Sequence, residues 1–254
     1  MRLRPAGILL VAALALGACT VRADDPPSVT VVLFDVSNST LSEEVRARYE
    51  ATFGMVLEHV VASGGVLGAD VIDDEPLVHG TLPINETFEP CTINDNGLAC
   101  RSALEERRAR AREAVSAILA TSSRGTDIFG ALELAEQFFA AYPDAGGRTL
   151  VLLSDMVQSA NGMHLGAVET WSEAEISAQL ARAPDVDLAG VRVYVVGAGA
   201  TTLEKMTAEQ IEGIRAFWTR WFQEHDARIV FYGANLPRFP VPEAPVTQAS
   251  ATPG

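Results

Sequence analysis

The run Ser28-Val29-Thr30-Val31-Val32-Leu33-Phe34, followed at once by Asp35-Val36-Ser37-Asn38-Ser39, decides how the rest of this chain is read. The first seven residues are almost all apolar or β-branched and show no polar alternation. That pattern marks a strand buried on both faces, which belongs in the middle of a parallel sheet. At Asp35 the character changes abruptly to a carboxylate and two hydroxyls in the order D-x-S-x-S. These polar groups stand at the carboxyl end of the strand, where open α/β sheets place their ligands.

Outward from this strand, residues alternate between helical and strand spacing. Leu41 to Ala62 reads as a helix, with Thr40-Leu41-Ser42-Glu43 as a capping box. Val66 to Ile72 and Leu77 to Ile84 read as two short strands joined by the acidic turn Asp73-Asp74-Glu75-Pro76. Arg101 to Ala120 is a charged helix, Gly125 interrupts, and Asp127 to Ala141 resumes helical spacing. Thr149 to Leu153 is a second central strand. Helix Glu173 to Ala181, strand Val191 to Val196, helix Ala208 to His225 and strand Ala227 to Phe231 follow. The alternation predicts an open, doubly wound α/β sheet of about six mostly parallel strands flanked by helices. One domain is expected over residues 28–236, and the Pro/Ala-rich stretch 237–254 is expected to be disordered.

Composition narrows the function classes. With 19 basic and 33 acidic residues the chain carries −14 at neutral pH, which repels nucleic acid and anionic membrane surfaces. The N-terminus has Arg2 and Arg4, an apolar run from Gly7 to Gly17, and then Leu16-Gly17-Ala18-Cys19. The run is too short for a spanning helix and has the layout of a secretory signal over residues 1–18. Its end resembles the lipobox of bacterial lipoproteins. The resemblance implies cleavage before Cys19, a lipid on its thiol and a spacer over residues 19–27. The protein would then be exported and lipid-anchored to the bacterial envelope, on the outer membrane or the outer face of the cytoplasmic membrane. An ordinary cleaved signal is the alternative. In an oxidising compartment the remaining cysteines, Cys91 and Cys100, are expected to close a disulfide around a polar loop. A zinc site lacks ligands, because His59, His79, His164 and His225 are scattered singly.

Three strand-end loops hold the chemistry. Asp35, Ser37 and Ser39 follow the first strand, Thr126 lies in Gly125-Thr126-Asp127, and Asp155 ends Thr149 to Asp155. Carboxylates and hydroxyls are hard ligands suited to Mg²⁺ or Mn²⁺. The order D-x-S-x-S, distant Thr, distant Asp resembles the metal ion-dependent adhesion site of the von Willebrand factor type A (vWA) family, over roughly residues 28–232. The resemblance implies a Rossmann-like vWA sheet, with Ser37, Ser39 and Thr126 ligating the cation and Asp35 and Asp155 acting through water. It also implies a protein partner that completes the metal shell with an acidic side chain. A plainer assignment makes Ser39 or Thr40 the cap of the first helix, Thr126 the cap of the third, and Asp155 a turn residue.

Other signals are weaker. Val196-Gly197-Ala198-Gly199 lacks the third glycine of a dinucleotide loop and reads as a tight turn. Ile211, Ile214, Phe217, Trp218, Trp221 and Phe222 form an apolar stripe that belongs in the core. Met156 to Trp171 is the expected recognition segment. No nucleophile with an activating base is evident, so no enzyme activity and no small-molecule substrate are expected. Two other readings stay open. One is a metal-dependent phosphate-ester hydrolase using Asp127, Asp73 or Asp74; the other is a structural envelope lipoprotein with an unused site.

Overall fold

A computed structural model describes residues 26–40, 42–92, 94–199 and 206–241. The leader, Cys19 and the stretch 242–254 lie outside the described residues. β1 (Ser28–Asp35) lies in the interior of the sheet, with every residue after Ser28 enclosed. It pairs in parallel with β2 (Gly65–Ile72) on one side and β4 (Gly147–Leu153) on the other. β3 (Ile84–Phe88) adds antiparallel to β2, while β5 (Arg192–Val196) and β6 (Arg228–Gly233) extend the other edge in parallel. The strand order is β3-β2-β1-β4-β5-β6.

Two apolar layers cover this sheet, because alternate residues of each strand face opposite sides. Val29, Val31 and Leu33 of β1 pack with α3 (Ile128–Ala140) and α5 (Ala208–Glu224). Val32 and Phe34 pack with α1 (Glu43–Ser63) and α2 (Gly97–Leu119). The short α4 (Glu173–Leu180) lies against α5. No helix among the described residues is long and apolar enough to cross a membrane. The stripe is core as expected from Ile214 to Phe222, with Phe217, Trp218 and Phe222 fully buried, whereas Ile211 is only half-buried.

Three local expectations are corrected. Leu77 to Ile84 is not a strand: Pro76 opens a 3-10 turn over Pro76–His79, and the strand begins only at Ile84. Pro fixes the φ angle that a turn start needs and donates no ladder hydrogen bond. Ser42, rather than Thr40, caps α1 by accepting from Val45 N. The packed chain also runs past residue 236. The Phe239 ring lies tilted 5.0 Å from Tyr194 and edge-on 5.3 Å from His59, and Val241 packs on the same layer. Composition hides such a strap, since two aromatic partners distant in sequence make it.

The disulfide is present: Cys91 and Cys100 are joined, with Cα atoms 5.9 Å apart. α2 begins earlier than Arg101, because Asn96 accepts from Leu98 N and Ala99 N and places Cys100 in the first turn.

Candidate metal-binding site

The strand order reverses direction of growth between β1 and β4, so their carboxyl ends open a crevice there. Asp35 and Asp155 stand on its two sides, 1% and 4% exposed. Asp35 Oδ1 accepts from Ser37 N at 2.9 Å, which folds the chain back after β1. Thr40 Oγ1 donates to the carbonyls of Asp35 and Ser37, closing the turn from below. This turn brings Ser37 Oγ within 3.0 Å of Ser39 Oγ. The two hydroxyls of D-x-S-x-S thus converge, and neither caps α1.

Thr126 reaches the same edge by a different route. Ser123 N donates to Val36 O, and Ser123 forms a bridge with Ser37, which lays the loop before α3 beside the β1 turn. Thr126 is then gripped through its backbone alone: its N–H donates to Ser159 Oγ and its carbonyl accepts from Ser159 N. The N-cap position of α3 belongs to Asp127, whose side chain makes no capping bond. The plainer assignment of Ser39 and Thr126 as caps is therefore not what the chain does.

Asp155 Oδ1 accepts from Val157 N at 3.1 Å. Between them Met156 adopts φ 67°, a left-handed conformation that costs a residue with a Cβ roughly 1–2 kcal/mol. Its N–H donates to Ser154 Oγ, and its carbonyl accepts from the buried Trp218 indole at 2.8 Å.

Electrostatics test whether these residues fit a cation. Burial pushes the Asp35 carboxyl up to about 7, the charge of Asp155 adds to that, and hydrogen bonds from Ser37 and Ser154 only partly oppose it. Tyr49 lies beneath, raised by its own burial and by both carboxylates, and its hydroxyl has no partner among the described residues. Gly197 (φ 108°) leaves the space above that ring: a Cβ there would sit 2.9 Å from the Tyr49 hydroxyl and 3.1 Å from Ser154 O. Two buried carboxylates that repel one another, with converging hydroxyls beside them, suit a hard dication. Among the described residues no group of three or more His, Cys, Asp or Glu is arranged to hold a metal. Any cation here would rest on hydroxyls as well as carboxylates.

The other carboxylates expected as candidates, Asp127, Asp73 and Asp74, each have partners of their own. Asp127 accepts from Gln158 Nε2 at 3.0 Å and Asn161 Nδ2 at 2.6 Å. Asp74 accepts from Ser123 Oγ, and Asp73 Oδ2 lies 3.0 Å from His79 Nε2. Within Met156 to Trp171, Gln158 and Ser159 hold the Thr126 loop while Met163 and Leu165 are buried. Ser154, Gln158, Ser159 and Trp218 were not singled out as site residues from the sequence; only the adjacency of Ser154 to Asp155 could have signalled one of them.

No protein-family model and no curated protein matches this sequence. Solved structures do. A von Willebrand factor type A protein from Catenulispora acidiphila aligns over 82% of this chain and 39% of its own, at 18% identity and TM-score 0.46. The pilus adhesin SpaC of Lactobacillus rhamnosus GG, in its open conformation, aligns over 83% and 28%, at 13% identity and TM-score 0.48. Proximal thread matrix protein 1 from the mussel byssus aligns over 83% and 44%, at 15% identity and TM-score 0.40. The chain spans less than half the length of each of these proteins.

Proposed function

We propose that this chain is a vWA-type binding domain that takes a divalent cation, Mg²⁺ or Mn²⁺, between β1 and β4. It would use that cation to engage a protein partner. The observation that carries the reading is the buried pair Asp35 and Asp155, in which the charge of Asp155 adds to the cost of ionising Asp35 beside the converging Ser37 and Ser39. Ser37, Ser39 and Thr126 would ligate the ion, and Asp35 and Asp155 would hold it through water. A cation ligated mostly by neutral oxygens stays electrophilic and accepts an acidic side chain from outside. The chain's own residues do the positioning: Thr40 fixes the β1 turn, and Ser159 fixes the Thr126 loop.

The lipobox-like Leu16-Gly17-Ala18-Cys19 and the Cys91–Cys100 disulfide support an exported, lipid-anchored location, since disulfides persist in oxidising compartments. The domain would then present its site to partners in the envelope, and it would be a binding protein rather than an enzyme.

Thermal unfolding of the protein without its leader tests the metal. Mg²⁺ or Mn²⁺ at about a hundredfold excess over Kd should add about 2.7 kcal/mol of stability over chelator. Asp35→Ala and Asp155→Ala should each abolish that gain. No shift at millimolar metal would overturn the reading.

A further inference from the structure

We infer that Trp218, on α5 and remote from the proposed ligands, is the positioning residue that holds Asp155 in place through the left-handed turn at Met156. The inference rests on the metal-binding reading for its consequence, though its structural half stands without it. Four bonds form one chain. Ser154 Oγ donates to Asp35 Oδ2 at 2.7 Å and accepts from Met156 N at 2.9 Å. Met156 O accepts from Trp218 Nε1 at 2.8 Å, and Val157 N donates to Asp155 Oδ1. Ser154 thus holds the Asp155–Met156 peptide, and Trp218 holds the carbonyl of the Met156–Val157 peptide, whose N–H is the one donated to Asp155.

The left-handed backbone at Met156 is what needs holding. An L-residue leaves that conformation readily unless its surroundings over-determine it. Relaxation would swing the Met156 carbonyl away and rotate the Val157 N–H off Asp155. Two features oppose this: the Met156 side chain is fully buried in the α5 layer, and the Trp218 indole is the donor to its carbonyl. The carbonyl is buried, so without that donor no water replaces the bond. Phe129 packs 4.8 Å from Trp218 and Trp221 packs 5.7 Å away, which leaves the indole one seating. A displacement of α5 would therefore be felt at Asp155.

Trp221 supplies the control. It lies on the same helix, is 1% exposed, and donates its own indole N–H to a carbonyl, that of Pro184. Trp218→Phe and Trp221→Phe each remove one indole hydrogen bond and similar buried surface, but only the first removes a bond to the Met156 turn. The experiment measures amide hydrogen exchange at Met156 and Val157 in metal-free protein, and Mg²⁺ and Mn²⁺ binding by calorimetry. Loss of one such bond is worth roughly five- to tenfold in an equilibrium. Trp218→Phe should speed exchange at both amides by about that factor and weaken metal binding similarly, while Trp221→Phe, which keeps the Trp218 donor and alters only its packing, should have a clearly smaller effect on both. Equal effects from both variants, or unchanged exchange in Trp218→Phe, would overturn the inference. If the exchange difference appears but the wild type takes up no metal, the positioning role stands and the metal-binding reading fails.

Discussion

Ser154 Oγ donates a 2.7 Å hydrogen bond to Asp35 Oδ2 across the boundary between β1 and β4, two residues separated by 119 positions in sequence. The bond joins the polar residues that follow the apolar runs of the two central strands, and it stabilises the charged form of Asp35. Burial and the charge of Asp155 oppose that form, and the carboxyl is held up to about 7. Under the proposed function, a cation at this site would compete with the proton on Asp35.

The pH dependence of stability follows from that raised value. The Asp35 carboxyl loses its proton at about 3.8 when unfolded and about 7 when folded, so between those values the folded chain holds the extra proton. Stability in chelator should then fall as pH rises through that window, by at most about 1.4 kcal/mol per unit from this group, and level off above it. Metal should compete with the proton, so the gain from Mg²⁺ should be larger at high pH than at low pH. Ser154→Ala removes a donor to the carboxylate and should move the decline to higher pH, while Asp35→Asn should remove this contribution to the slope. Thermal unfolding across the range checks it; a wild-type profile in chelator that Asp35→Asn leaves unchanged would contradict it.

How far the sequence reveals this arrangement depends on distance along the chain. The central strands are legible because Val31 to Phe34 and Leu150 to Leu153 are unbroken apolar runs that only a doubly covered sheet can bury. The oxygen-bearing residues at their ends are legible for the same reason, since strand ends dictate where loops converge. Leu77 and Val78 mislead, because they look like strand residues yet are 44% and 75% exposed on a turn set by Pro76. The bond from Trp218 to Met156 spans 62 residues, and nothing local to either residue announces it. Phe239 sits among prolines and reads as tail, although Tyr194 and His59 hold its ring.

His79 gives a second, separate titration. Its Nδ1 lies 3.1 Å from Asp70 Oδ2 and its Nε2 lies 3.0 Å from Asp73 Oδ2, so only the imidazolium donates to both carboxylates. Partial burial pulls its pKa down, but the hydrogen bond and charge of Asp70, with those of Asp73, outweigh it and raise the pKa above 6.5. A raised folded value means a contribution fully present below pH 6.5 and lost as pH climbs through the folded pKa. His79→Gln should therefore destabilise more at pH about 6 than at about 8.5, by ~1–3 kcal/mol at the lower pH, because Asp70 is buried and loses its partner. Asp70 is itself raised by burial, so Asp70→Asn in the same background should recover part of the loss. The effect should extend to the Thr126 loop, since Asp73 O accepts from Asp127 N. Equal destabilisation at both pH values would show that His79 acts by packing alone.

Gly213 tests the closure of the segment from Met156 to Trp171, because two rules give opposite signs there. The residue lies inside α5, where glycine is less favourable than alanine by about 0.5–1 kcal/mol, so Gly213→Ala should stabilise on helix propensity alone. Packing says otherwise. A Cβ at Gly213 would fall 1.9 Å from Trp171 Cγ and 2.3 Å from Trp171 Cβ, so the ring root must move. These atoms lie close to the Trp171 backbone, so a rotamer change cannot clear them; the loop carrying Trp171 must lift off α5. Overpacking of this kind costs ~1–3 kcal/mol or more, which exceeds the propensity gain. The variant should melt at lower temperature than wild type, and Trp171 emission should shift to the red as its ring gains solvent. A rise in melting temperature would show that propensity wins and that Trp171 does not close against the helix as described.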